Sequence, residues 1–211
     1  MAQLVIRPGI FVATALAAAL AAATPVASQD YTEPKSGVAF PAERDGMSLL
    51  GAGLRVKKIA FVKVKVYAVG LYVGQDALGG PLAGERAKGP SPALYKELVT
   101  GDIKKELILK FTRDVGQDRI QEAMREALAG AEKAPLDAFI SYFPEVKTGQ
   151  ECVLRWAPGG GLEAIMNGQA KPAIANRAFA ERVFGLYLGE TPLQDDIKAD
   201  LLVRLAVPAK P

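Results

Sequence analysis

The stretch Gly51–Val73, GAGLRVKKIAFVKVKVYAVGLYV, decides the fold that we predict for this 211-residue chain. Its second half is rich in Val, Leu and Tyr and contains no proline, which is typical of a β-strand. Gly51 and Gly53 allow another part of the backbone to come close just before Arg55. We therefore predict two consecutive strands, with Arg55 on the first and Tyr67, twelve residues later, on the second.

Alternation along the second strand assigns each of its side chains to one of two faces. One predicted face carries Val62, Val64, Val66 and Ala68. The other carries Lys63, Lys65, Tyr67, Val69, Leu71 and Val73, so it is cationic at its start and apolar at its end. Such a face suits a molecule with an anionic head and an apolar body. A sheet face that carries lysines for solubility fits the same pattern.

The rest of the chain adds both strands and helices. Strands are predicted at 106–112, 151–156 and 162–166, and amphipathic helices at 117–129, 136–143 and 176–188. The segment 74–91 is dense in Gly and Pro and is predicted to be a loop. Thr191-Pro192-Leu193-Gln194 has the composition of a capping box and predicts a last helix with proline at its first position. An α+β fold follows, with an antiparallel sheet packed by helices.

The first 28 residues have the features of an export signal. Arg7 is the only charged residue before Asp30, Ile10–Ala23 is apolar, and Val26-Ala27-Ser28 offers small residues for cleavage. The apolar run is shorter than the about 20 residues that span a bilayer. We predict a signal peptide at 1–28, a lead-in at 29–46 and one domain at 47–207, in a periplasmic or secreted protein without a stable membrane span after signal removal.

Composition argues against several kinds of site. The chain has 26 basic and 23 acidic residues and no Lys/Arg run longer than a pair, so nucleic acid is not an expected partner. Histidine is absent, which removes histidine-based triads and the usual transition-metal ligand sets. We predict no metal site and no cofactor. Cys152 is the only cysteine and lies in an apolar stretch, so a buried, inert thiol is expected.

Four segments carry a family resemblance. GAGLR followed by KVYAVGLYV resembles the opening of the chalcone isomerase-like family, and three later segments agree in order: LKFTRDVGQDRIQEAMREAL (109–128), GQECVLRWAPGGGLEAIMNG (149–168) and NRAFAERVFGLYLGETP (176–192). The resemblance covers roughly residues 45–205. It implies an open-faced β-sandwich, in which a large antiparallel sheet is packed by a layer of helices. The family contains true chalcone isomerases, non-catalytic fatty-acid-binding members and poorly characterised bacterial and fungal proteins.

The resemblance also implies roles for single residues. Arg55 matches the arginine that binds an anionic oxygen of the ligand, a role that suits the planar fork of a guanidinium. Tyr67 stands where true chalcone isomerases have threonine and fatty-acid-binding members have tyrosine. The helix at 117–128 lacks the tyrosine and the asparagine of the plant enzymes. The hydroxyl residue of the next-to-last helix falls on Leu186, followed by Tyr187. An exported bacterial member closer to the fatty-acid-binding type is therefore expected.

Three functions remain open on these grounds. The first is binding of a fatty acid or similar amphiphilic carboxylate in a cleft between sheet and helices, through Arg55, Tyr67, Lys65, Val69, Leu71, Leu186 and Tyr187. The second is an isomerase of the intramolecular-lyase kind that acts on a chalcone or other unsaturated phenolic, in which Arg55 holds the oxyanion and activity is weak. The third is a structural or assembly role, with side chains filling the cleft.

Overall fold

The computed structural model of the protein describes residues 29–205, which form nine strands and seven helices. The strands are β1 (Tyr31–Thr32), β2 (Ala39–Phe40), β3 (Glu43–Arg44), β4 (Met47–Ile59), β5 (Val62–Gly74), β6 (Lys105–Phe111), β7 (Glu151–Ala157), β8 (Gly161–Met166) and β9 (Gln169–Ala170). The helices are α1 (Gln75–Gly79), α2 (Ala83–Ala87), α3 (Pro92–Thr100), α4 (Gln117–Ala127), α5 (Lys133–Ser141), α6 (Arg177–Leu188) and α7 (Asp195–Asp200). The predicted signal peptide, 1–28, and the end of the predicted domain, 206–207, lie outside the described residues.

Seven strands form one antiparallel sheet in the order β3-β4-β5-β6-β7-β8-β9. The long strands β4 and β5 form a hairpin within this sheet. Ile59 and Val62 are the paired residues next to the turn, so the turn itself has two residues. Strand order follows chain order throughout this sheet, so each strand pairs with its neighbour in the sequence. The predicted α+β fold with a large antiparallel sheet is confirmed.

Each face of the sheet packs on a separate apolar core. The larger core lies between the sheet and the helices, and includes Tyr67, Val69, Leu71, Phe139 and Phe184. The smaller core lies on the opposite face and includes Phe40, Met47, Ala68, Tyr72 and Ile108. Residues 29–46, predicted to be a lead-in, therefore contribute a core aromatic side chain, one strand of the large sheet and the separate two-stranded sheet β1-β2.

Two predicted elements differ from the structure. The segment 74–91 is not a simple loop, because α1 and α2 lie in it, and α1 and the turn before α2 bury Ala77, Leu78 and Leu82 in the main core. The last helix begins at Asp195 and not at Pro192, since the Gln194 side chain bonds to β4 instead of closing a capping box. None of the helices within 29–205 combines the length and the apolar composition that crossing a bilayer requires.

Lys105, at the start of β6, is a fully buried lysine. Its ammonium donates hydrogen bonds to the carbonyl oxygens of Val99 at 3.1 Å and Gly101 at 2.8 Å. It also lies 4.0 Å from the centroid of the Trp156 ring. Burial lowers the pKa of Lys105 from 10.5 to about 7, because desolvation disfavours the charged form.

We expect this lysine to make the free energy of unfolding rise between pH 7 and pH 10.5. In that window the unfolded state binds the proton that the folded state has lost, so raising the pH stabilises the folded state. The slope is at most about 1.4 kcal/mol per pH unit. Urea denaturation of wild type and Lys105→Met at several pH values measures it. The substitution should abolish this part of the slope, and equal slopes in the two proteins would contradict the assignment.

Candidate ligand-binding site

Arg55 and Tyr67 are directly opposite each other in the β4–β5 pair. Opposed residues of an antiparallel pair share a face, with Cβ atoms about 5 Å apart. The next pair is Val56 with Lys65, so Val66 is an extra residue on β5 and forms a β-bulge. The bulge turns Val66 to the same side as Tyr67, and the two line one cavity. The predicted position of Val66 on the opposite face is wrong for this reason.

A cavity of about 300 Å³ lies between this hairpin and α4, and we call it the α4 cleft. Its volume is at the lower end of the range for small-molecule sites. Apolar side chains form most of its lining, and Arg55, Lys57 and Glu126 are the charged members. The complete lining is Arg55, Lys57, Val66, Tyr67, Ala123, Met124, Glu126, Ala127 and Leu193. The cleft therefore combines two cationic groups and one carboxylate with an apolar surface.

Neutral acceptors orient the Arg55 guanidinium. Its Nη1 donates to the carbonyl oxygen of Leu193 at 3.0 Å and lies 3.5 Å from the Gln194 side-chain oxygen. Among residues 29–205, no carboxylate lies within ion-pair distance of Arg55, and its remaining N–H groups have no protein acceptor. A guanidinium presents five N–H donors and keeps its charge at any working pH. The described part of the chain thus positions this cation and leaves most of its donors for another molecule.

Gln194 fastens the α6–α7 connection to β4. Its side-chain oxygen accepts from the Val56 amide at 3.1 Å, and its side-chain nitrogen donates to the Leu54 carbonyl oxygen at 3.2 Å. These two bonds bracket Arg55 on the strand. The connection that supplies the acceptor for Arg55 is therefore held at two points on the same strand.

The Tyr67 hydroxyl lies 3.0 Å from the hydroxyl of Tyr187 on α6. Burial raises the pKa of both phenols, although the hydrogen bond and the nearby Arg55 charge oppose the rise at Tyr67. Both side chains are consequently protonated near neutral pH. One O–H group is used within the pair, and the other has no acceptor among the described residues. The pair can therefore donate one further hydrogen bond.

A second cavity of about 470 Å³ lies at the outer edge of β4, and Arg55 lines it too. Leu54 and Val56 are its apolar residues. The remaining lining is polar or charged: Lys35, Arg55, Lys58, Lys63, Gln194 and Asp196. This edge cavity suits a polar group, whereas the α4 cleft suits a molecule with an apolar body.

Several residues predicted for the site lie elsewhere. Lys65 donates its ammonium hydrogen to the carbonyl oxygen of Lys35 and lines neither cavity, because the bulge reverses its face relative to Tyr67. Val69 and Leu71 do lie on the face of Tyr67, but they are completely buried in the main core. Leu186 is buried as well, and its carbonyl oxygen accepts from the Leu193 amide at 2.7 Å.

Other lining residues were absent from the prediction. The apolar stripe that predicts α4 includes three of them, Ala123, Met124 and Ala127. Alanine side chains are small, so the two alanines could have indicated that a space remains between this helix and the sheet. Leu193 and Gln194 had no such signal, since their spacing was typical of a helix cap. Within 29–205, no group of three or more His, Cys, Asp and Glu residues is arranged to hold a metal ion.

Family comparison agrees with this architecture. The sequence model of the family described as "Chalcone isomerase-like" matches residues 35–203. The chain belongs to this family. As a chalcone isomerase-like protein it shares its fold with the crystal structure of an Arabidopsis thaliana fatty-acid-binding protein, AtFAP1, with a TM-score of 0.70 at 24% identity over 83% of this chain and 97% of that chain.

Curated members of the chalcone isomerase-like family include both binding proteins and enzymes. The chain is 28% identical to Chalcone isomerase-like protein 1 of Humulus lupulus, over 78% of this chain and 85% of that protein. It is 24% identical to Fatty-acid-binding protein 1 of Arabidopsis thaliana, over 84% of this chain and 71% of that protein. It is 26% identical to a chalcone–flavanone isomerase of Clitoria ternatea, over 79% of this chain and 84% of that protein.

Proposed function

We propose that this chalcone isomerase-like protein binds a fatty acid or a similar amphiphilic carboxylate in the α4 cleft. The observation that carries the proposal is the pairing of Arg55 with Tyr67 on one wall of that cleft. The guanidinium can donate two parallel N–H bonds to a carboxylate. The Tyr67–Tyr187 pair has one O–H group left to donate. A carboxylate is the group that accepts from both.

The apolar lining supplies the rest of the binding energy. Val66, Met124, Ala127 and Leu193 would contact an acyl chain. Each methylene removed from water contributes about 0.8 kcal/mol, so six of them contribute about 5 kcal/mol. That gain offsets the loss of translational freedom and the partial desolvation of the head group. Because the cleft is small, we expect it to prefer a medium-length chain.

The names of the relatives support fatty-acid binding, and one name also supports the alternative of an isomerase. Two matched proteins, Fatty-acid-binding protein 1 and Fatty-acid-binding protein 2 of Arabidopsis thaliana, are named for fatty acids, whereas another is named an isomerase. Arg55 could hold the oxyanion of a chalcone in the same cleft. Against the isomerase, Tyr67 fills the position of the expected threonine, and α4 has neither tyrosine nor asparagine. A catalytic water and an enone would therefore lack the groups that orient them.

Mass spectrometry of organic extracts from the purified protein tests the proposal. Acyl chains bound in stoichiometric amounts are expected, and a clean extract together with no binding of added fatty acids would overturn it. Incubation with naringenin chalcone, followed by its visible absorbance, tests the isomerase. A rate no greater than that of Arg55→Ala would eliminate that alternative.

We also propose that the protein is exported, on the strength of the signal-like residues 1–28. Expression of the full chain in a Gram-negative bacterium, followed by N-terminal sequencing of the periplasmic protein, tests this. A new N-terminus close to Gln29 is expected. Retention in the cytoplasm with Met1 intact would contradict it.

Tyr67→Phe is expected to weaken fatty-acid binding about three- to tenfold. The substitution removes one hydrogen bond to the carboxylate, worth about 0.5–1.5 kcal/mol, and keeps the ring packed against Phe111. Tyr187→Phe is the matched control, because it leaves the Tyr67 hydroxyl free to donate to the ligand. Isothermal titration with one fatty acid measures both. Equal losses in the two variants would contradict a direct role for Tyr67.

A further inference from the structure

The tip of the β4–β5 hairpin, residues 57–65, exposes adjacent apolar side chains. Phe61 is 97% exposed and Val62 63% exposed. Among the described residues, Val203 is the other large hydrophobic side chain that is exposed, and it lies apart from them. Adjacent apolar residues at a protruding turn are unfavourable in water, and they mark a surface that meets a partner.

The same tip is strongly cationic. Lys57, Lys58, Lys63 and Lys65 are all exposed, and the chain has no acidic residue between Asp45 and Asp76. Within 29–205, none of these four lysines forms an ion pair. Asp196 shares the edge cavity with two of them, which leaves the region positive.

One cross-strand pair of residues in the tip destabilises the hairpin by its charge. Lys58 lies directly opposite Lys63, so two ammonium groups share one face of the hairpin. Like charges in this position destabilise a sheet. An anionic partner would relieve the repulsion, since within 29–205 Asp196 lines the same cavity but forms no ion pair with either lysine.

We propose that this tip docks onto the surface of an anionic lipid bilayer, with Phe61 and Val62 in the interface and the lysines on lipid phosphates. The lysines occur on both faces of the hairpin, since Lys57 lines the α4 cleft whereas Lys58 and Lys63 line the edge cavity. A planar anionic surface meets both sets when the tip enters it end-on. A groove on a partner protein that contacted one face of the hairpin would leave the lysines of the other face without anionic partners.

Docking also brings the α4 cleft close to the membrane. Arg55 precedes the turn residue Ala60 by five positions, which is at most about 17 Å along an extended strand. A docked tip thus holds the cleft near the layer in which amphiphiles dissolve. The docking itself does not depend on what the cleft binds.

Fluorescence of the full chain carrying Phe61→Trp reports on the tip directly. The natural tryptophan, Trp156, is buried and contributes a constant background. Vesicles of phosphatidylcholine with about one third phosphatidylglycerol should shift the emission of the new tryptophan to shorter wavelength, and pure phosphatidylcholine should shift it much less. Val203→Trp is the matched control. The amide of the next residue, Arg204, donates to the Leu50 carbonyl oxygen, so Val203 lies near the opposite end of β4 and its probe should not shift.

Vesicle sedimentation measures the affinity. Phe61→Ser should lower affinity for anionic vesicles about tenfold, and Lys58→Gln or Lys63→Gln about fivefold each. Residues 1–28 are common to all variants, so differences between variants report on the tip. Fatty-acid affinity of Phe61→Ser without vesicles should equal that of wild type, which separates a failure of docking from a failure of ligand binding. Equal affinity for both vesicle types, no effect of the tip variants, or self-association of the chain through Phe61 in place of vesicle binding would overturn the proposal.

Discussion

Arg55→Gln is expected to weaken binding of a medium-chain fatty acid by a factor of about 10 to 150. A hydrogen bond to a charged group contributes about 1.5–3 kcal/mol, and Arg55 is the cation that lies beside Tyr67 in the α4 cleft. Glutamine retains a donor of similar reach but loses the charge and the fork. Isothermal titration with decanoate measures the effect. Decanol, which has the same chain and no carboxylate, should lose less than about threefold, since its neutral hydroxyl forms neither an ion pair nor a bidentate contact with the guanidinium.

Lys65→Gln is the matched control for this experiment. It removes one cation from the neighbouring strand, but that lysine donates to the Lys35 carbonyl oxygen and does not line the cleft. Its decanoate affinity should therefore stay within about twofold of wild type, because an exposed charge outside the cleft is screened by salt. A loss equal to that of Arg55→Gln would show that the two cations act only through long-range charge. Unchanged binding in both variants would remove Arg55 from the head-group site.

Gly51→Ala is expected to lower the free energy of unfolding by about 3 kcal/mol. A Cβ atom at this position would lie 2.3 Å from the Asp200 carbonyl oxygen and 2.7 Å from the Leu201 carbonyl carbon. Both are backbone atoms, so no side-chain rotation can make room. The end of α7 must move away from β4, and the neighbouring connection that holds Arg55 is then expected to loosen.

Urea denaturation compares this variant with Gly84→Ala. Gly84 lies within α2, and apart from its chain neighbours and the backbone of its own helix, no atom of residues 29–205 lies within 4 Å of its added Cβ. That control should be neutral or stabilising by up to about 1 kcal/mol, since alanine favours a helix more than glycine does. If Gly51→Ala were as stable as wild type, α7 would not lie against β4 in solution.

Local rules were enough to predict much of this fold. The proline-free Val-rich run predicts β5, and the hairpin geometry brings Arg55 and Tyr67 together because both lie near the middle of long strands. Helices α4 and α6 follow from apolar residues at helical spacing, which depends only on neighbours in the sequence. These features were predictable because each is determined within about twenty residues of chain.

The parts of the site that were not predictable depend on long-range contacts. A bulge adds Val66 without any change in composition, so strict alternation assigned both Val66 and Lys65 to the wrong faces. Gln194 reaches β4 across 138 positions of sequence, and a capping-box pattern was the closer local explanation. Val69 and Leu71 would need to be apolar whether a helix or a bound ligand packed against them. The sequence pattern therefore does not show which of the two covers these side chains.

The side-chain amide of Gln194 has a consequence beyond the orientation of Arg55. Among residues 29–205, strand β4 has no strand partner on its outer side beyond Ser48, so its outward N–H and C=O groups could template the addition of a foreign strand. The amide occupies two of those groups, on Val56 and Leu54, as an added strand would. The residue that helps to orient Arg55 thereby also covers part of the sheet edge at which fibrillar aggregation would begin.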